Sequence, residues 1–142
     1  MTIKQSKGFT IIELLVVIAI IAVLASVVLV NLTQYISKGK DAAARANLST
    51  LLTNAAVYYD TNSSYNTFNG AASTTYQNVL TALQNAGYTI TSTCDSGAAC
   101  PATATKFCAS VPLKATSNIF CVDTAGNKKE GASSTCAAGV CP

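Results

Sequence analysis

The sequence contains no histidine, and only six of its 142 residues are acidic. The usual general acid–base pairs and the Ser–His or Cys–His nucleophile arrangements are therefore missing. A G-x-S-x-G motif is absent as well. We expect from these absences a protein that is not an enzyme, with no catalytic residues and no cofactor.

Patterns that bind metals or nucleic acids are also absent. The cysteine spacings include C-x₅-C, C-x₁₂-C and C-x₄-C, but not the C-x₂-C pairs of zinc sites. The stretch from Asp60 begins like a calcium loop, yet Tyr65 stands where the loop needs glycine and Ala71 where it needs an acid. We interpret it as a turn. The net charge of +3 comes without a clustered basic face, so neither a metal nor a nucleic-acid partner is predicted.

Charge is scarce in the N-terminal part of the chain, where residues 9–32 contain a single charged residue, Glu13. About 20 apolar residues in a helix cross a bilayer core, so this run is long enough to span a membrane. Lys4 and Lys7 precede it, and basic residues favour the cytoplasmic side. The pattern predicts a single-pass membrane protein with its N-terminus in the cytoplasm.

A cleaved secretory signal peptide is the alternative reading of the same run. Its basic start fits, and Val23 to Ala25 resembles a small-residue cleavage site, with cleavage after Ala25. However, the apolar stretch continues past that site, and a signal peptide gains nothing from the acid Glu13. We therefore favour a retained membrane helix.

The helical pattern continues beyond the apolar run. Leu48, Leu52, Ala55 and Tyr59 recur at helical spacing, which predicts one helix from about residue 9 to residue 59. Its first half is apolar and its second half is amphipathic. The aromatic residues near its end are expected to pack the helix against the head; they are Tyr58, Tyr59, Tyr65 and Phe68.

A short second helix is predicted from Tyr76 to Ala86, with a Thr74–Gln77 capping box before it and Gly87 after it. Three strands follow at about residues 106–113, 118–123 and 127–130. The predicted fold class is therefore α+β. A long N-terminal helix carries a small C-terminal head with a short helix and a three-stranded antiparallel sheet.

Six cysteines lie in the last third of the chain, behind the membrane segment, which predicts disulfides formed outside the cytoplasm. Six cysteines allow 15 pairings, so sequence alone leaves the connectivity open. We prefer a local scheme because a turn near Ala115 brings the first and second of these strands together, with Cys108 almost opposite Cys121. Its bonds are Cys94–Cys100, Cys108–Cys121 and Cys136–Cys141.

The segment "KGFTIIELLVVIAII", residues 7–21, resembles the N-terminus of bacterial type IV pilins and of type II secretion pseudopilins. The resemblance implies that prepilin peptidase cuts between Gly8 and Phe9 and that the new Phe9 amine is N-methylated. It also implies that Glu13 acts in assembly by approaching the Phe9 amine of a neighbouring subunit. Unlike many pilins, the stretch from Ala22 to Val30 has neither proline nor glycine, so any loosening of the helix there would have to come from packing.

The family implies a structural subunit that leaves the membrane for an extracellular homopolymeric filament. Its partners would be prepilin peptidase with its methyltransferase activity and the inner-membrane pilus assembly machinery. The domains would be a leader (1–8), a transmembrane and polymerisation helix (9–32), an amphipathic half (33–60) and a disulfide-bonded head (61–142). The alternatives are a type II secretion pseudopilin, a minor or competence pilin, and a membrane-anchored binding head.

Overall fold

The computed structural model describes residues 8–70, 73–95 and 100–142. Most of the predicted leader and Ala71 of the calcium-like stretch lie outside these residues. The chain divides into two compact units, Met1–Ile36 and Ser37–Pro142. The elements in chain order are α1 (Ile11–Asn62), α2 (Thr74–Asn85), β1 (Thr91–Cys94), β2 (Phe107–Pro112), β3 (Ile119–Asp123) and β4 (Lys128–Gly131).

Helix α1 confirms the predicted long N-terminal helix, although it begins at Ile11 and ends at Asn62. By length and composition it can cross a membrane. Two polar side chains in its apolar part bond to its own backbone: Ser26 Oγ donates to the Val23 carbonyl at 2.7 Å, and Asn31 Nδ2 donates to the Val27 carbonyl at 3.4 Å. These bonds suit a helix in lipid, where polar groups have no water to bind.

The second half of α1 lies in the C-terminal unit and buries one face. Ala44, Leu48, Leu51 and Ala55 are at most 1% exposed, and they recur at the three- and four-residue spacing of one helix face. Leu52 and Tyr59, which the sequence placed on this face, are partly buried at its edge. The predicted amphipathic pattern is confirmed, with its centre at Leu51 rather than Leu52.

Helix α2 begins at Thr74, earlier than predicted, and its N-cap is Ser73 rather than a residue of the predicted capping box. Ser73 Oγ accepts the backbone N–H three residues further on, at 3.3 Å. Gln77 instead donates its side-chain amide to the backbone carbonyl of Gly70. Gly87 follows the helix at φ +81°, as the predicted C′ position requires.

The sheet has four antiparallel strands in the order β1-β2-β3-β4, not the predicted three. The predicted strands correspond to β2, β3 and β4. The missed strand β1 pairs with β2, and Thr93 lies opposite Cys108 in its register. β3 lies on the other side of β2, where Ser110 is opposite Cys121.

Aromatic side chains join the end of α1 to the sheet, as predicted. Tyr65 is 4% exposed and Phe68 is fully buried. The rings of Tyr58 and Phe68 lie 5.0 Å apart between centroids, and those of Tyr59 and Tyr65 lie 4.9 Å apart. Phe68 also meets Phe107 of β2 edge to face at 5.0 Å. These contacts form the packing that holds the helix end against the strands.

All six cysteines form disulfides, but only one of the preferred pairs is confirmed. Cys94 bonds to Cys100 as predicted. The pairs Cys108–Cys121 and Cys136–Cys141 are wrong, because Cys108 bonds to Cys136 and Cys121 bonds to Cys141. The C-terminal segment packs beside β2 and β3, so each of its cysteines reaches a different strand.

Candidate functional site

The junction predicted for cleavage, Gly8 and Phe9, precedes the helix and is exposed. A Cβ atom added to Gly8 would meet no other atom within 4 Å. The Phe9 side chain is 77% exposed. Among the described residues, therefore, nothing crowds the backbone at Gly8, which itself has no side chain.

Thr10 and Glu13 form a reciprocal capping box at the start of α1. Thr10 donates its backbone N–H and its hydroxyl to Glu13 Oε2, at 2.9 and 2.8 Å. The backbone N–H of Glu13 in turn contacts Thr10 Oγ1 at 3.3 Å. Together they satisfy donors that every helix N-terminus leaves unpaired.

The capping box changes the role expected for Glu13. Its carboxylate already has two donors inside a single chain, so it does not need a neighbour to be hydrogen-bonded. A carboxylate offers about four acceptor positions, which leaves capacity for an approaching amine. Sequence reasoning missed Thr10, although the T-x-x-E spacing of residues 10–13 is the signature of this motif.

The first half of α1 exposes almost all of its large apolar side chains. They range from 46% to 80% exposed between Phe9 and Val28. Soluble surfaces rarely carry contiguous apolar area of this extent, so this half of the helix fits an apolar environment. The exposed set includes Ile11, Ile12, Leu14, Leu15, Val16, Ile20, Leu24, Val27, Leu29 and Leu32.

In the C-terminal unit, Asp41 fastens α1 to the chain segments that follow α2 and β2. Its side chain is 1% exposed. Oδ1 accepts the Tyr88 hydroxyl at 2.6 Å and the Lys114 backbone N–H at 2.8 Å. Oδ2 accepts the Ala115 backbone N–H at 2.8 Å. One carboxylate thus joins three parts of the fold.

The hydrogen bonds also control the charge of this group. Burial alone would raise the pKa of Asp41, but the bonds from Tyr88, Lys114 and Ala115 and the charge of Arg45 outweigh it and lower the pKa. Burial, followed by the hydrogen bond to Asp41, raises the pKa of the Tyr88 hydroxyl. The pair therefore consists of an ionised carboxylate and a neutral phenol near neutral pH.

A salt bridge holds the same helix to the far edge of the sheet. Both guanidinium nitrogens Nε and Nη2 of Arg45 donate to the Glu130 carboxylate, at 3.0 to 3.1 Å. Both side chains are about one-third exposed, so the pair stabilises the unit only modestly. Its fork geometry fixes the position of β4 against α1.

The residues described by the structure contain no cluster of three or more His, Cys, Asp or Glu side chains that could hold a metal ion. What the N-terminal segment offers instead is an open peptide bond, a capped acid and an exposed apolar helix.

The comparisons with known proteins agree with this arrangement. Residues 3–29 match the family described as the prokaryotic N-terminal methylation motif. The chain is similar to the type IV wide pilus major component PilA4 of Thermus thermophilus, with 44% identity over 69 residues that cover 49% of this chain and 52% of the relative. It is also similar to the type IV major pilin protein PilA of Myxococcus xanthus, with 33% identity over 64 residues that cover 45% of this chain and 29% of the relative.

The matches therefore span about half or less of the relatives' length. No solved structure matches the chain significantly. The fold and the N-terminal motif define a protein with an N-terminal methylation motif, a long N-terminal helix and a small α+β head. The predicted resemblance to type IV pilins is confirmed over the N-terminal part of the chain.

Proposed function

We propose that this chain is the structural subunit of an extracellular type IV pilus filament. The observation that carries the proposal is the first half of α1, which is long enough to cross a membrane and exposes its apolar side chains on all sides. A membrane covers such a surface before assembly, and packed helices of other subunits cover it afterwards. The relatives, which are named as major components of pili, support the same reading.

Processing follows from the open junction. Prepilin peptidase cleaves between Gly8 and Phe9, and Phe9 then carries a methylated α-amine. An α-amine has an ordinary pKa of about 8, so it is largely cationic near neutral pH. In this proposal it becomes the partner of the Glu13 carboxylate of a neighbouring subunit.

Assembly then pairs Phe9 of one subunit with Glu13 of another. The capping box holds the Glu13 carboxylate at the N-terminus of α1, so its position is fixed before the neighbour arrives. The incoming amine uses the remaining acceptor positions of the carboxylate. Preorganised acceptors lose less conformational entropy on association, which favours a defined register between subunits.

The proposal also fixes where the protein resides. The subunit is first a single-pass protein of the cytoplasmic membrane with its N-terminus in the cytoplasm, and the inner-membrane assembly machinery then moves it into the pilus. The predicted domains keep their roles as leader (1–8), polymerisation helix (9–32), amphipathic half (33–60) and head (61–142).

Intact-mass and N-terminal analysis of filaments sheared from cells tests the processing step. We expect the dominant band of long fibres to have a mass that lacks the first eight residues and gains one methyl group on Phe9. An intact Met1 or cleavage after Ala25 would contradict the proposal. The same mass found only in trace amounts, without fibres of this chain, would favour a pseudopilin or minor pilin.

The variant Glu13→Ala tests the assembly step. We expect the variant chain to be inserted and cleaved but to enter filaments poorly. Asp60→Ala is the matched control, because Asp60 is an exposed acid of the same helix outside the apolar half. Normal filament yield from Glu13→Ala, with cleavage intact, would refute the proposed contact.

A further inference from the structure

Two buried polar side chains lie beside the two C-terminal cysteines. Ser110 of β2 is 2% exposed and Asp123 of β3 is 1% exposed. Ser110 Oγ accepts the backbone N–H of Cys136 at 3.3 Å. Asp123 Oδ2 accepts the backbone N–H of Cys141 at 3.0 Å. The backbone N–H of each C-terminal cysteine is thus bound by one side chain of the sheet.

The two contacts share one geometry. Ser110 stands two residues after Cys108, the disulfide partner of Cys136. Asp123 stands two residues after Cys121, the disulfide partner of Cys141. Because alternate residues of a strand point to the same face, each strand presents a thiol position and a hydrogen-bond acceptor side by side. On each strand, the acceptor side chain therefore binds the backbone N–H of the same C-terminal cysteine that forms a disulfide with the cysteine of that strand.

Hydrogen bonds that favour one pairing matter here because the four cysteines are close enough together to form other disulfides. The sulfur-bearing residues Cys108, Cys121, Cys136 and Cys141 form a single buried cluster. Cys108 lies opposite Asp123 in the β2–β3 register, which places it diagonally from Cys121 on the neighbouring strand. Local bonds close shorter loops at a smaller entropic cost, so chain connectivity alone favours Cys108–Cys121 and Cys136–Cys141.

One of the two acceptors is fixed by local contacts. Asp123 Oδ1 accepts the backbone N–H groups of Ala125 and Asn127, each at 3.0 Å, and Oδ2 accepts the Asn127 side-chain amide at 2.9 Å. These donors belong to the β3–β4 turn, at most four residues away. Such local contacts form with little loop-closure cost, so the turn can orient the carboxylate before the distant C-terminal segment arrives.

We propose that Ser110 and Asp123 are positioning residues that select the disulfide connectivity of this protein during oxidative folding. They hold the backbones of Cys136 and Cys141 next to Cys108 and Cys121, and thereby disfavour the local pairs. In each oxidation two cysteine thiols lose two protons and two electrons to form one S–S bond. A small-molecule disulfide accepts them and leaves as two thiols.

Oxidative refolding of the full chain in detergent tests the proposal. The chain is reduced and unfolded in guanidinium chloride, then transferred to a buffer of reduced and oxidised glutathione, and free thiols are alkylated at intervals. Trypsin separates the peptides 107–114, 115–128 and 130–142. The observed connectivity joins all three peptides, whereas the local scheme joins the first two and leaves the third with an internal bond, so peptide masses distinguish them.

We expect Asp123→Ala to raise the early ratio of local to observed connectivity about tenfold, since it removes a charge-assisted hydrogen bond. Ser110→Ala, which removes a neutral bond, should raise the ratio about threefold. Asp41→Ala is the matched control: Asp41 is equally buried and also accepts backbone N–H groups, but none from a cysteine.

Peptide masses report the pairing even if a variant fails to reach the folded state, so each variant gives a result. An unchanged ratio in both Asp123→Ala and Ser110→Ala would overturn the proposal. If the ratio of local to observed connectivity rose as much in Asp41→Ala as in Asp123→Ala, that would also overturn the proposal. The pairing would then depend on the general stability of the fold rather than on Ser110 and Asp123.

Discussion

Replacing Asp41 by alanine removes the carboxylate that joins α1 to the segments after α2 and β2. The variant leaves three donors without their acceptor: the Tyr88 hydroxyl and the backbone N–H groups of Lys114 and Ala115. The Tyr88 bond is fully buried, while the two backbone groups are partly buried and can bind water after the substitution.

The expected loss of stability follows from these three bonds. A buried donor left without a partner costs about 1–3 kcal/mol, and partly buried donors fall at the lower end because water reaches them. The sum for Asp41→Ala is roughly 3 kcal/mol. Asp41→Asn keeps one carbonyl acceptor but loses the charge, so we expect about half of that loss.

Urea denaturation of the full chain in detergent, with its disulfides intact, measures the effect. The sequence has no tryptophan, and all of its six tyrosines except Tyr35 lie in the C-terminal unit, so tyrosine fluorescence and near-ultraviolet circular dichroism report mainly on that unit. With a slope of about 1.5 kcal/mol per M urea, a 3 kcal/mol loss lowers the midpoint by about 2 M.

The control for this measurement is Asp60→Ala, which removes an exposed acid from the same helix. Surface substitutions usually change stability by less than about 0.5 kcal/mol. A midpoint for Asp41→Ala that equals the midpoint for Asp60→Ala would refute the reasoning, since it would mean that the three bonds do not stabilise the unit.

Three further results are expected from the same denaturation assay. Leu48→Ala should cost about 2–5 kcal/mol because Leu48 is fully buried, whereas Val57→Ala, at a residue 62% exposed, should cost much less. Ser73→Ala should cost about 1 kcal/mol through loss of the α2 N-cap, and an unchanged midpoint would contradict that role. Hydrogen bonds outweigh burial and lower the pKa values of Asp41 and Asp123 below the ordinary value of about 3.9, so the unfolded state gains protons first as the pH falls. Stability should therefore be complete above about pH 5 and decline below about pH 4, and a decline on raising the pH through the same range would contradict the sign.

Much of the architecture follows from local sequence patterns. The long apolar run and the spacing around Leu48 predicted α1, because a helical period is defined by residues only three or four apart in the sequence. Strands β2 to β4 were predicted for the same reason, since their residues alternate or cluster between recognisable turns. The start of the apolar run also led to the family resemblance that the comparisons confirm.

What the sequence left undetermined depends on contacts between distant residues. Strand β1 is only four residues long, and it is a strand because β2 supplies its partner. The disulfide partners of Cys136 and Cys141 depend on where the C-terminal segment crosses the sheet, which loop length cannot reveal. The Thr10–Glu13 capping box does not depend on distant contacts, because its motif lies within four neighbouring residues. It was overlooked because this run was interpreted only as a membrane segment.

The C-terminal unit is held together by two kinds of contact that act on different parts of it. Helix α1 contains no cysteine, so no disulfide joins it to the sheet, and all three bonds lie between Cys94 and Cys141. The packing of its buried face, the Asp41 bonds and the Arg45–Glu130 pair therefore hold the helix to the sheet.

In a filament subunit, force would pass along α1, which is attached to the sheet by noncovalent contacts and not by a disulfide. Reduction of the disulfides acts on the C-terminal segment and on the residues between Cys94 and Cys100, whereas protonation of Asp41 acts directly on the attachment of α1. In the proposed filament, tension would pass through α1, and the Asp41 bonds would share with the apolar packing and the Arg45–Glu130 pair the task of holding the helix to the sheet. Protonation of Asp41 in acid should therefore weaken the attachment of α1, while the three disulfides of the head stay covalently intact.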